Sequence, residues 1–486
     1  GDHVDATRKA LAMQAGLIGL GVMGRNLALN LNEKGHGIVA TDSWESARAW
    51  SAPGIEVVSG HAELAARLEA PRVVLLMVKA GEQVDNEIAA ITPHLAAGDT
   101  IIDLGNSYYR DTERRSAELI ARGFGFLGIG ISGGAEGARH GAALMAGGGA
   151  DDWRRARKLL ADVAANAPDG TPTIDHFGSG GAGHFVKMVH NGIEYAIMQA
   201  IGECHAVMRD VAGLGDREIA DHFARWSTDG TGAGFLLEIT AEIVKATDEL
   251  TGQPILPLID DAAGQKGTGS WTAAAAVEHG VPATAIMEAL AARQVSGLDG
   301  QRELARRLAG QGGEATPGRS VDAGLVDDLE AALSAATITS LAQGVQIFAA
   351  ASQENSWRAD VSSLLRGWRA GSILRMRMLD RLADALDAAG ADGAVSDLFL
   401  VPEIVGEVLA ARPAWRRGVA AAVSGGVPAP VLSAALAQVE SLARRPLATQ
   451  LVQGQRDRFG AHGFRRTDRP GDFHGPWVQP DEEVGK

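Results

Sequence analysis

Short apolar runs separated by amphipathic stretches fill the first third of the chain. Residues 15–20, 37–41, 72–79, 100–103 and 125–129 read as strands, the first of them after a loose leader, 1–14. Helical period appears between them, beginning with 25–34, which Gly35 ends. Alternation of this kind predicts a parallel, doubly wound sheet with ligands at the carboxyl ends of its strands. Beyond Gly183 the strand signals largely vanish, and Ala-, Leu- and Arg-rich segments of helical period run to about Arg445. The expected architecture is an α/β dinucleotide-binding (Rossmann-like) domain over 1–180, a large all-α domain over 181–443 and a C-terminal tail over 444–486.

Glycines punctuate the first strand–helix junction as Gly19-Leu20-Gly21-Val22-Met23-Gly24. The first glycine permits a tight turn, the second lets backbone approach a pyrophosphate, and the third lets helix pack on strand. The helix start then offers free N–H groups and a positive dipole end to phosphates. Asp42 ends the second strand, where a carboxylate accepts hydrogen bonds from a ribose 2′-hydroxyl and repels a 2′-phosphate. Ser43 and Trp44 supply no cation, and Arg48 is the nearest. Those residues favour NAD over NADP, although a strand-end aspartate can also simply cap the next helix. Three further loops leave strand ends at 78–81, 103–107 and 131–138. They bring Val78, Lys79, Ala80, Asn106, Ser132, Gly133 and Gly134 to the ligand edge.

A helix predicted to run from the glycine turn 178–183 to about Met208 carries Lys187, His190, Asn191 and Glu194 at i, i+3, i+4 and i+7, on one stripe. Phe185, Val186, Val189, Ile193 and Ile197 fall opposite. A solvated amphipathic helix would show such a stripe too. Here it turns apolar one turn later, at Met198 and Ile201, which suggests a walled pocket. A lysine and a carboxylic acid two turns apart suit a general base and a general acid on one small substrate.

Bulk properties narrow the classes. The 486 residues are 46% hydrophobic, with a mean hydropathy of −0.01, enough for a sizeable core. No apolar run approaches the roughly 18 residues of a membrane span, and the polar start lacks a secretion signal, so a soluble cytoplasmic protein is expected. A net charge of −15 argues against a nucleic-acid backbone as partner. The single cysteine, Cys204, excludes intrachain disulfides and reads as a buried small residue. Against that acidic background, 444–474 holds seven Arg against three Asp. Its aromatic residues suggest a segment that docks and lends cations to an anionic ligand. The loop Gly264-Gln265-Lys266-Gly267-Thr268-Gly269 is a plausible anion nest.

Together these motifs closely resemble the decarboxylating 6-phosphogluconate dehydrogenases, over about 15–477. The most specific pieces are the 181–195 run, 264–269 and Gln455-Arg456-Asp457-Arg458-Phe459-Gly460-Ala461-His462. The resemblance implies oxidative decarboxylation of 6-phosphogluconate to ribulose 5-phosphate and CO2 with a nicotinamide dinucleotide and without metal. Lys187 would be the base and Glu194 the acid. Asn106, Ser132, Gly133, Gly134, His190 and Asn191 would hold the carboxylate and hydroxyl end of the substrate. Tyr195, Lys266, Thr268, Arg293 and, from a partner subunit, Arg456 would hold the phosphate, with His462 nearby. A tail threaded into a neighbouring subunit implies a homodimer. Three positions depart from the family pattern. Asp42-Ser43-Trp44 replaces the usual Asn-Arg-Thr or Asn-Arg-Ser that serves NADP, Leu104 replaces a glycine at the turn holding Asn106, and Ser270 replaces a lysine. The competing readings are a β-hydroxyacid dehydrogenase for an unphosphorylated acid and a non-catalytic nucleotide-binding protein.

Overall fold

Eight strands make one sheet in the computed structural model of the chain, which describes residues 13–230, 232, 234–264, 267–310, 324–358, 360–390 and 395–478. They are β1 (Gln14–Ile18), β2 (Gly37–Thr41), β3 (Ile55–Val57), β4 (Val73–Leu76), β5 (Thr100–Asp103), β6 (Gly125–Ser132), β7 (Ala143–Gly148) and β8 (Ile174–His176). Their order is β3-β2-β1-β4-β5-β6-β7-β8. The chain reverses its winding between β1 and β4, and the loops after those two strands therefore flank one crevice.

The sheet is not wholly parallel, as the alternation predicted. β7 runs antiparallel to β6, with Gly128 opposite Gly147 and Gly130 opposite Met145. The link between them holds only the short helix Gly134–His140, less than the dozen or so residues a parallel crossover takes. β3 and β8 are three-residue strands, too short to show a period.

Labelled in chain order, the helices that matter to the site are α1 (Val22–Glu33), α2 (Glu82–Ile91), α3 (Tyr109–Ala121), α4 (Ala182–Asp210), α5 (Thr268–Glu278), α6 (Thr284–Ser296), α7 (Leu325–Asn355) and α8 (Pro402–Ser424). α4 is the axis. Its apolar face, Phe185, Val186, Val189, Ile193 and Ile197, is buried, and α5, α6 and α7 pack around it. Cys204 lies fully buried on the same helix, as expected of a small core residue, and burial pushes its thiol up. Its neighbour Glu203 accepts the Val431 and Leu432 N–H groups, 2.9 Å each, at the start of the helix Pro430–Ala443.

One helix is more apolar than the sequence reading allowed. α7 contains an 18-residue window of mean hydropathy 1.2, long enough to cross a membrane, but 89% of that window is buried inside the protein. It serves as a core helix.

The chain separates into two compact units, Gly1–Ala435 and Leu436–Lys486. The second contains α9 (Thr449–Gly460) and an antiparallel pair of two-residue strands, Phe464–Arg465 and Asp472–Phe473. Its centre is Asp457, fully buried, whose carboxylate accepts from the Gly463 and Gly475 N–H groups, the His474 ring and the Trp477 indole at 2.7–2.9 Å. These donors hold its carboxyl well below the usual range. Arg456 donates to Gln453, which itself donates to the Gly463 carbonyl.

Candidate active site

Glycine spacing brings α4 close against the sheet. Gly128 and Gly130 stand two apart on β6 and so share a face. A side chain at Gly128 would meet Thr112 and His184, and one at Gly130 would meet the Lys187 Cβ. Gly183, at the start of α4, lies against the backbone of Gly128, Met145 and Gly147. The result is a smooth groove in which the first turns of α4 lie almost on the strands, with Lys187 over β6. Gly130→Ala should therefore displace Lys187. Steady-state assays are expected to show kcat falling further than KM for the dinucleotide, and thermal melts a stability loss of about 1–3 kcal/mol.

The polar stripe of α4 is enclosed. Lys187 is 7% exposed and His190 fully buried, while the Glu194 side chain is 20% exposed. Burial brings the Lys187 amine down to about 8, against an opposing pull from Glu194. Burial pushes the Glu194 carboxyl up, against Lys187 and Arg293. Each group is thus shifted toward the protonation state that a general base or a general acid needs.

His190 joins three elements. Its Nε2 lies 3.0 Å from the Ser132 hydroxyl and 3.2 Å from that of Ser372, and its Nδ1 lies 3.0 Å from Asn191 Oδ1. An amide oxygen only accepts, so Nδ1 carries the proton and Nε2 accepts from a serine. Burial and Lys187 hold the ring well below its ordinary range, hence neutral. The Ile373 N–H donates to Ser132 at 3.1 Å, and Gly133 comes up against the Gly371 carbonyl. The 371–373 turn is thus part of the site. Sequence reasoning missed it, and a Gly-Ser pair between helical stretches was the only local signal.

At the other end, Asn191 Nδ2 donates to Thr268, the first residue of α5, at 3.2 Å. Thr272 donates to the Met188 carbonyl at 2.8 Å, fixing α5 to α4. The Arg293 guanidinium, on α6, sits 3.4 Å over the Tyr195 ring and donates to the Gly264 carbonyl at 2.9 Å. Tyr195, Thr268 and Arg293 therefore gather beside Asn191 and Glu194. Lys266 lies outside the described residues. Arg456 and His462 belong to the second unit. Met198 is 42% exposed, with its sulfur 3.7 Å from Arg293 Nη2, and Ile201 is buried.

A cleft of about 300 Å³ opens at the β1–β4 crevice. Gly21, Val22, Met23, Gly24, Val78, Lys79 and Asn106 line it; Ala80 and Asp42 do not. Gly19 has φ +111°, and Gly24 lies against the Gly19 carbonyl, as close helix–strand packing demands. Nothing stands within 4 Å of where a Gly21 Cβ would be, so its backbone is open to a ligand. The first turn of α1 carries no acidic residue and no side-chain cap, leaving its N–H groups for an anion. These features fit a pyrophosphate. Asp42 accepts the Leu20 N–H at 2.7 Å and the Trp44 N–H at 2.8 Å. It both fixes the glycine loop and caps the next turn, and a carboxylate has about four acceptor sites, so two remain. Leu104 stands at the Asn106 turn and also lines the cleft. Its N–H donates to the Leu76 carbonyl at 2.9 Å, and its side chain joins the core.

Comparison with known proteins agrees with this layout. A family model described as the NAD binding domain of 6-phosphogluconate dehydrogenase matches 14–176, and one described as the 6-phosphogluconate dehydrogenase C-terminal domain matches 183–477. The decarboxylating 6-phosphogluconate dehydrogenase of Synechococcus elongatus is 42% identical over 471 residues, covering 96% of this chain and 99% of that protein. The sheep (Ovis aries) enzyme of the same name is 41% identical over 470 residues, covering 95% and 96%. A solved Plasmodium falciparum 6-phosphogluconate dehydrogenase, described in apo form and in complexes with NADP+ and with 6-phosphogluconate, superposes with a TM-score of 0.88. It is 34% identical and covers 96% of this chain and 100% of its own. The chain belongs to the decarboxylating 6-phosphogluconate dehydrogenase family.

Proposed function

We propose that this protein oxidatively decarboxylates 6-phosphogluconate to ribulose 5-phosphate and CO2. The observation that carries the reading is the enclosed Lys187–Glu194 pair, each member shifted toward the protonation state its role needs. A bound nicotinamide dinucleotide supplies the hydride acceptor. Neutral Lys187 takes the proton of the C3 hydroxyl as that carbon is oxidised. The ammonium so formed then holds the C3 carbonyl oxygen while the β-keto acid loses CO2. Protonated Glu194 delivers a proton to C1 of the enediol. Ser132, Gly133, Gly134, His190, Asn191 and Asn106 orient the carboxylate and hydroxyls. Tyr195, Thr268, Arg293 and Lys266 take the phosphate, Arg293 already held in place by the Tyr195 ring.

The dinucleotide on this reading is NAD, because Asp42 keeps acceptor sites for ribose hydroxyls and Ser43 stands where the family has an NADP-serving arginine. The tail is read as reaching a second copy in a homodimer, bringing Arg456 and His462 to the phosphate. Leu451 and Phe459 on α9 are 69% and 76% exposed, apolar surface that a second copy would cover.

Steady-state assay of 6-phosphogluconate with NAD and NADP side by side, with CO2 release followed, tests the whole. Turnover with the larger kcat/KM for NAD is expected. A larger value for NADP overturns the cofactor assignment, and turnover confined to an unphosphorylated β-hydroxyacid overturns the reaction. The chain ended after Pro446 is expected to lose at least about 100-fold in kcat/KM, the scale of losing charge-assisted contacts to the phosphate.

A further inference from the structure

A second carboxylate lies behind Asp42. Glu87, on α2, is 2% exposed. Its Oε1 accepts from the Ser43 hydroxyl and from the Gln83 amide, both at 2.6 Å, and its Oε2 lies 2.6 Å from His61 Nε2. Burial pushes this carboxyl up, but His61, Ser43 and Gln83 together outweigh it and leave it below the usual carboxylate range. Glu87 is thus a fixed anion at neutral pH, joined by one hydrogen bond to the residue that follows Asp42.

A serine hydroxyl has one proton to donate. At this position it could otherwise serve a phosphate oxygen, but it is given to Glu87, so Ser43 presents lone pairs outward. Arg48, the nearest cation along the sequence, has its Nη1 on the Asp42 carbonyl at 2.6 Å. The edge of the site beside the ribose therefore offers the Asp42 carboxylate and a hydroxyl whose donor is engaged, with the buried Glu87 carboxylate and its partner His61 behind them. We propose that Glu87 is a specificity-determining residue that disfavours a 2′-phosphorylated dinucleotide, acting through Ser43 and through its own charge. This rests on the reading that Asp42 meets the adenine ribose.

One consequence separates Glu87 from Asp42. An arginine introduced at position 43 would lie within reach of the Glu87 carboxylate and pair with it rather than with a 2′-phosphate. Ser43→Arg alone should then gain little for NADP, and Glu87→Gln should release the effect. The amide keeps the shape of the side chain and can still accept from Ser43.

The test is calorimetric binding of ADP and of 2′,5′-ADP to the full chain, supported by kcat/KM with NAD and NADP, for wild type, Glu87→Gln, Ser43→Arg and the double variant. Glu87→Gln is expected to raise the 2′,5′-ADP to ADP affinity ratio roughly tenfold, the scale of removing one partly screened charge. Ser43→Arg alone should raise it less than about threefold, and the double variant should exceed the product of the two singles. Wild type binding ADP more tightly, with an unchanged ratio in Glu87→Gln or strictly multiplicative singles, overturns the role of Glu87 and leaves the NAD reading standing. Wild type binding 2′,5′-ADP more tightly overturns the NAD reading itself. If Glu87→Gln does not fold, Ser43→Arg decides alone: a gain above about threefold overturns the proposal and a smaller gain supports it.

Discussion

Lys187→Met should lower the rate of hydride transfer by about 10²–10⁴-fold, the usual contribution of a positioned proton acceptor, while leaving dinucleotide binding unchanged. Methionine matches the length and apolar body of the lysine, so the packing over Gly130 survives and only the amine is lost. Rapid mixing, with reduced dinucleotide followed by its absorbance, measures the step. Unaltered transfer in this variant would remove the base assignment. The pH dependence carries a sign. Only the neutral amine accepts a proton, and burial sets the change at about 8. The kcat/KM of wild type should therefore climb with pH and level off above about 8. A flat profile across that range would show that another group takes the proton.

Glu194→Gln separates the two halves of the reaction. Oxidation at C3 does not use this carboxyl, so a first turnover of reduced dinucleotide should still form. Release of ribulose 5-phosphate should slow by about 10²-fold or more. In deuterated water, solvent deuterium at C1 of the product, read by mass or NMR, should appear correspondingly late. Glu194 also raises the Lys187 amine. Removing its charge should lower that amine, moving the rise of the pH profile to lower pH. A shift to higher pH, or product formed at the normal rate, would contradict the assignment of the acid.

Much of this site was legible because its parts are local. The glycine loop 19–24, the strand Gly37–Thr41 and the α4 stripe each carry their signal within a dozen or so residues, at periods of two or 3.6. The stripe also suggested enclosure, which the burial of Lys187 and His190 supports. What stayed hidden is non-local. Ser372 reaches His190 across 182 positions and Glu87 reaches Ser43 across 44, and no periodicity records such pairings. The antiparallel β7 was obscured by its composition, Ala143-Leu144-Met145-Ala146-Gly147-Gly148, in which alternation is absent. The glycines of β6 were readable only as flexibility, whereas in the fold they measure how near a helix may come.

Asp457 has a consequence for the homodimer proposed above. All four of its donors come from residues 463–477 of the same segment, so that knot can tie itself before any neighbour arrives. A limb that arrives already shaped surrenders little conformational freedom on contact, and that leaves more of the contact energy as affinity. In that proposed homodimer, loosening the knot would then weaken the pairing without touching any residue of the contact face.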